Sequence, residues 1–388
     1  MRLKKIALFG ILTIIFANLL ILVTDRTYLY KGIANTYLKG RKGPGIFDLE
    51  AFKYRILPPS KDTFPEKLIT KKTLEITHVE ALEKLGSNSF LVYQNDSLLV
   101  ERYWNSNSET VSNSFSVAKS ILGILTGIAI KEGFIKSMQE PVGNYIPHFT
   151  ADSLQFITIH HLLSMSSGIH WIESGANPFS HNAKAYYGTD LTSMMNEIEY
   201  EKKPGITFEY KSGNSQILAM VLAKATEMNV SQFATKYLWK RIGATQDAFW
   251  SLDDENGVEK AFCCMYATGH DFAKLGMLMN HEGNVQGNQL LDSSFVSMST
   301  KPASLKTMNG KENAFYGLHW WVFNSYKNLT GYYARGILGQ YIIVIPSENI
   351  VIVRTGHQRM GKSDGFHPDD LYIYLDIARD LITDEKRY

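Results

Sequence analysis

The segment SVAKSILGILTGIAIKEGF, residues 116–134, is apolar on nearly every side and ends just past Gly133. Apolar residues all round, rather than along one stripe, predict a helix buried in the middle of the fold, with the glycine as its stop. Ser116 stands at the N-terminal end and Lys119 follows one turn later. Residues three apart share a helix face, so the lysine amine can meet the serine hydroxyl. Burial disfavours the charged form of a lysine, and a neutral amine can take a proton from serine. The helix N-terminus adds free N–H groups and the positive end of a dipole, which makes the Ser116 N–H a candidate oxyanion donor. S-x-x-K is a short pattern, and a capping serine beside a lysine that extends its stem towards water is the competing reading.

A second motif decides between the two. PGITFEYKSGNSQILAMVLAKAT, residues 204–226, gives a Pro-Gly turn, then Tyr210-Lys211-Ser212 in a loop, then a helix. Tyr93, Tyr103 and Tyr326 also begin Y-x-N triplets, but the first two precede Ser116 in a hairpin and the third lies among late strands. Only Tyr210 follows a turn and opens a helix downstream of the serine. With these two motifs, the chain resembles the serine β-lactamase and penicillin-recognising superfamily, on the side that holds class C β-lactamases, related esterases and 6-aminohexanoate-dimer hydrolase. The resemblance implies that Ser116 is the nucleophile, that Lys119 and Tyr210 share its proton, and that Ser212 occupies the last position of the Y-x-N or Y-x-S element. Ser212 read from its neighbours alone fits an N-cap equally well.

The family's third element is K-T-G, or a variant such as H-T-G or W-G-G, on a strand beside the cleft. Here Ala334-Arg335-Gly336 stands at that place, followed by Ile337, and only the glycine agrees. Glycine suits close approach of substrate to a strand. The resemblance assigns the second oxyanion N–H to Ile337, while the missing lysine and threonine argue against recognition of a β-lactam carboxylate. Arg335 either replaces that charge or faces solvent. Trp171, in the loop after Gly168 with His170, Tyr186 and Tyr187, is a candidate cleft wall or a packing residue.

Working outward, FLVYQNDSLLVERYW at 90–104 reads as a hairpin turning at Asn95-Asp96. Helical patterns dominate about 140–310, and strand patterns return at 316–323, 340–346 and 349–356 before a last helix at 369–383. Strands at both ends of the chain around a helical middle predict an α/β (α+β) fold: an antiparallel sheet flanked by helices, with an inserted, mainly helical subdomain. The resemblance makes this β-lactamase/transpeptidase-like over residues 76–388. Residues 26–75, rich in Lys, Gly and Pro, read as a tether.

Residues 1–25 carry the location signal. Ile6 to Val23 is nearly unbroken apolar sequence behind Arg2, Lys4 and Lys5. Its eighteen residues cover roughly 27 Å as a helix, close to a hydrocarbon core of about 30 Å. No A-x-A site follows, which favours an uncleaved membrane anchor over a cleaved signal peptide. Arg26, Lys31, Lys39, Arg41 and Lys42 weaken the charge contrast across the span, and the expected orientation still puts the N-terminus in the cytoplasm and the catalytic body outside.

A formal net charge of +2 announces no nucleic-acid partner. The adjacent Cys263 and Cys264 read as buried packing with no disulfide, since neighbouring Cα atoms lie closer than ordinary disulfide geometry requires. Gly361-Lys362-Ser363-Asp364-Gly365 fits G-x-S-x-G, but too little chain remains for a downstream acid and histidine, so Ser363 reads as a loop residue. No metal or other cofactor is implied, and oligomeric state cannot be read. The sequence therefore predicts a membrane-tethered serine hydrolase acting on a small carboxylic ester or amide. Its rivals are a β-lactamase or D,D-carboxypeptidase, and a tethered sensor that binds or is acylated by a ligand without turnover.

Overall fold

The computed structural model describes residues 2–62, 67–68 and 72–385. Six strands build the main sheet: β1 (Ser87–Gln94), β2 (Ser97–Tyr103), β3 (Trp321–Tyr326), β4 (Leu329–Gly336), β5 (Gln340–Ile345) and β6 (Ile350–Gly356). Their spatial order is β3-β4-β5-β6-β1-β2, antiparallel throughout, and Lys67–Leu68 adds a short parallel edge beyond β2. The two ends of the chain meet where β6 pairs with β1, with Val351 opposite Tyr93 and Val353 opposite Leu91. The β1–β2 turn falls at Asn95 and Asp96, both at positive φ, as a two-residue turn that matches strand twist requires.

Side chains alternate along each strand, and both faces are covered. Ile342 and Val344 enter one core, Ile343 and Ile345 the other. This is why the late strands read as continuous apolar runs rather than as an alternating pattern. On the first face lie α4 (Val117–Lys131) and α7 (Gly269–Asn280), with α6 (Ser212–Thr226) packed on α4; on the second lie α3 (Ile76–Lys84) and α8 (Asp369–Glu385). The helix read from residues 116–134 is thus α4, buried from Val117 to Ala129.

Within the mainly helical middle of the chain, Ala248–Ser251 and Met265–Ala267 join Tyr54–Leu57 and Ser112–Asn113 in a second, four-stranded sheet. Two expectations are corrected. Residues 26–62 are not a bare tether. α2 (Tyr28–Asn35) packs against α5 (His181–Tyr187), and Ile46, Phe52 and Leu57 are buried in the first core. Single apolar residues among Lys, Gly and Pro give no periodic signal, so the docking was invisible locally. Residues 63–66 and 69–71 of the expected tether lie outside the described residues. Finally, Cys263 and Cys264 are joined as a vicinal disulfide, their Cα atoms 3.7 Å apart. Cys264 adopts φ +71°, a left-handed conformation that the rule for separated cysteines does not consider. Burial of both residues agrees with the packing expectation.

In α1 (Arg2–Val23) most of the apolar side chains from Ile6 to Val23 are exposed, and its Lys4–Val23 stretch is long and apolar enough to cross a membrane.

Candidate active site

The second sheet places the serine. Ser112–Asn113 pairs with Met265–Ala267, and the Ser114 N–H donates to the Met265 carbonyl at 2.8 Å. Phe115 follows at φ +44°, a conformation that is strained for a bulky residue, and its N–H donates to Asn113 Oδ1 at 2.8 Å. That sharp turn delivers Ser116 to the start of α4. From β4, Gly336 backs the turn: a Cβ there would sit 2.3 Å from the Ser114 carbonyl oxygen and 3.1 Å from Phe115 Cβ. The glycine is therefore required by backbone approaching backbone. Gly336→Ala is expected to push the Ser116 turn out of place and to lower kcat/KM by about 100-fold, since a misplacement of about 1 Å has that effect. Kinetics alongside thermal melts check this; unchanged kcat/KM would contradict it.

Lys119 is 1% exposed. Its Nζ donates to Ser116 Oγ at 3.1 Å and to the Phe262 carbonyl at 2.7 Å. The capping-serine reading, with a lysine reaching water, does not fit this burial. The Tyr210 ring lies 5.2 Å from the same nitrogen and is held by Trp321 and Tyr316. Among the described residues its hydroxyl makes no hydrogen bond to Ser116 or Lys119, so the tyrosine meets the lysine through its ring.

Ser116, Ser212, Ile337, Phe262 and Glu173 open on one cavity of about 210 Å³. Among the described residues, neither the Ser116 N–H nor the Ile337 N–H finds an acceptor. Ile337 begins the β4–β5 turn, where Leu338 and Gly339 take positive φ. Ser212 is the first residue of α6 rather than its cap, and its N–H and Oγ donate to Glu173 at 2.7 and 2.8 Å. Glu173 also accepts from Trp171 Nε1 at 2.9 Å and Asn182 Nδ2 at 2.8 Å. Trp171 itself is 3% exposed and lies behind the cavity, packed on Gly213, so it acts on the wall only through Glu173 and Asn182. Tyr186 and Tyr187 do line the cavity; His170 instead pairs with Glu201. Glu173 and the Phe262 carbonyl were missed by sequence reasoning, because neither belongs to a spaced motif.

Arg335 neither faces solvent nor lines the cavity. It is 8% exposed, with its guanidinium stacked 3.6 Å from the centre of the Trp321 ring. Ser363 lies in the loop before α8, where its Oγ donates to Asp369 at 2.7 Å.

Beneath the lysine is His319, fully buried. Its Nδ1 lies 2.7 Å from the Leu163 carbonyl, which can only accept, so the proton sits on Nδ1 and Nε2 accepts from Ser215 Oγ at 2.8 Å. Burial, with the charge of Lys119 acting in the same sense, pushes its pKa down to about 3. The unfolded chain binds this proton near pH 6.5, whereas the native state refuses it until near pH 3. The stabilisation is complete above pH 6.5 and is lost as pH falls towards 3. At pH 4.5 the loss is up to about 3 kcal/mol. His319→Asn, which tolerates the local φ of +62°, should show a shallower fall in Tm between pH 7 and 4.5; parallel curves would contradict the assignment.

Residues 77–371 match the Beta-lactamase family model. The chain is 26% identical to the 6-aminohexanoate-dimer hydrolase of Paenarthrobacter ureafaciens over 321 residues, which is 78% of this chain and 80% of that protein. Among solved structures, a Bacillus anthracis protein provisionally assigned as a 6-aminohexanoate-dimer hydrolase superposes with TM-score 0.74 at 20% identity, over 87% of this chain and 93% of that one. A family VIII carboxylesterase superposes with TM-score 0.60 at 14% identity, over 80% of this chain and all of that one, with coverage of 100%. These two structural likenesses concern the fold.

Proposed function

Because the chain belongs to the beta-lactamase family, we propose that it is a serine hydrolase that cleaves a small carboxylic ester or amide through an acyl-enzyme on Ser116. The observation that carries this reading is the buried Lys119 Nζ held between Ser116 Oγ and the Phe262 carbonyl. Lys119, held at that place, is the group positioned to take the serine proton as Oγ attacks the carbonyl. The N–H groups of Ser116 and Ile337 receive the oxyanion, at about 3 kcal/mol per donor. Tyr210, whose ring lies against the lysine, is proposed to bring its hydroxyl to the leaving group and pass the proton to the departing alcohol or amine, and water then releases the acid.

An ester or amide is preferred to a β-lactam because the position of the K-T-G lysine holds Ala334, and the neighbouring Arg335 is committed to Trp321. Parallel assays with p-nitrophenyl esters and a chromogenic cephalosporin test the choice. Ester turnover with little cephalosporin turnover is expected, and the reverse ranking would overturn the reading. α1 is proposed to anchor the chain with the catalytic body outside the cytoplasmic membrane, which requires that protease shaving of intact spheroplasts digest the body.

A further inference from the structure

The cavity at Ser116 owes one wall to α2. Tyr28, Leu29, Gly32 and Ile33 line it, with Thr36 just past the end of the helix, positions that recur on one face of a helix. This wall is fixed. Tyr28 Oη donates to the Pro178 carbonyl at 3.1 Å, and Gly32 lies so close to the Tyr187 ring that a Cβ would sit 3.3 Å from it. Lys31, on the other side of the helix, directs its ammonium onto the Phe52 ring at 4.4 Å, away from the cavity. Lys119 and Tyr210 are not among the lining residues, whereas Ser116 and Ile337 are. The groups that move the leaving-group proton thus lie outside the cavity, which leaves the cavity to the acyl half of the substrate.

The same helix begins a few residues after the end of α1, and Tyr30 Oη donates to Asn18 Oδ1 at 2.8 Å, which joins the two. Exposed apolar side chains surround this junction: Ile33, Tyr37, Leu38 and Phe179, the last beneath the Arg26 guanidinium at 5.0 Å. Apolar side chains interleaved with Arg26, Lys39 and Lys42 make the composition of a surface that sits in a lipid interface. A cavity of about 210 Å³ exceeds the roughly 150 Å³ that suffices for a benzene-sized apolar guest.

We propose that α2 is the acyl-binding wall of the site, and that the substrate is an ester or amide whose acyl part is a hydrocarbon chain of an amphiphile resident in the membrane entered by α1. This rests on the hydrolase and anchor readings above. The Ser116 Oγ–acyl bond forms as the bond to the alcohol or amine breaks, and the serine proton leaves with that group. Water then gives the free carboxylic acid and restores the serine.

The test uses the full chain reconstituted in vesicles of phosphatidylethanolamine and phosphatidylglycerol. p-Nitrophenyl acetate, which stays in water, is compared with the octanoate and laurate, which partition into the bilayer. The expected result is a kcat/KM for octanoate about tenfold or more above acetate, with that ratio collapsing in Leu29→Asp and Ile33→Asp. Acetate hydrolysed as well as octanoate by the unaltered chain would overturn the proposal while leaving the hydrolase reading intact, and needs no variant to fold. A chain-length preference untouched by both substitutions would equally overturn the role of α2. Failure to hydrolyse any ester, with no adduct on Ser116, would remove the hydrolase reading and this one with it.

Discussion

Ser116→Ala is expected to lower kcat/KM for a p-nitrophenyl ester by roughly 10⁴-fold or more, because the substitution removes the atom proposed to carry the acyl group. Folding should survive it. Ser116 is half-buried at the cavity, its side chain makes no capping hydrogen bond to α4 and, among the described residues, accepts only from Lys119, and alanine fits the space that the hydroxyl leaves. Residual turnover would reflect the oxyanion donors and binding alone. Thermal melts that coincide with the parent, together with lost turnover, are the expected pair of results. Retained turnover would remove the nucleophile from Ser116.

Lys119→Met should cost nearly as much, about 10³–10⁴-fold in kcat, the upper range for a positioned acid–base group. Methionine approximates the buried stem and removes the amine that serves both the serine and the Phe262 carbonyl. Leaving that carbonyl unpaired destabilises the fold by about 1–3 kcal/mol, so Tm should fall modestly as well. The kinetic signature separates chemistry from folding. A catalytic lysine lowers kcat per folded molecule, whereas a purely structural one lowers the active fraction and leaves kcat per folded molecule in place.

Several elements are legible in consecutive residues, whereas most of what depends on distant partners is not, and the adjacent Cys263–Cys264 pair shows that a local reading can fail too. The Asn95-Asp96 turn, the all-round apolar helix at 116–134 and the tyrosine loop before α6 are written in consecutive residues, and each appears where its pattern puts it. The fold class followed from strands at both ends of the chain, which β6 and β1 join. The Ser116 turn, by contrast, depends on Gly336, more than two hundred residues away, and Lys119 depends on a backbone carbonyl, which has no sequence signature at all. Glu173 takes its place from Ser212 and Asn182, and Trp171 was drawn off the cavity surface by the same carboxylate. α2 was misread for a related reason: its apolar face is only two turns long, and its partner, α5, is about 150 residues distant. Arg335 illustrates the limit from the other side, since a strand arginine between a glycine and an alanine gives no hint that an aromatic ring waits to receive it.

The central claim is that Ser116 is the acyl-accepting atom, and the most direct measurement is peptide mass mapping after treatment of the full chain with a fluorophosphonate probe. The account predicts one adduct, on the peptide containing Ser116, and none on the Ser116→Ala chain. An adduct elsewhere, on the Ser363 loop for instance, or labelling that persists in the alanine variant, would contradict it.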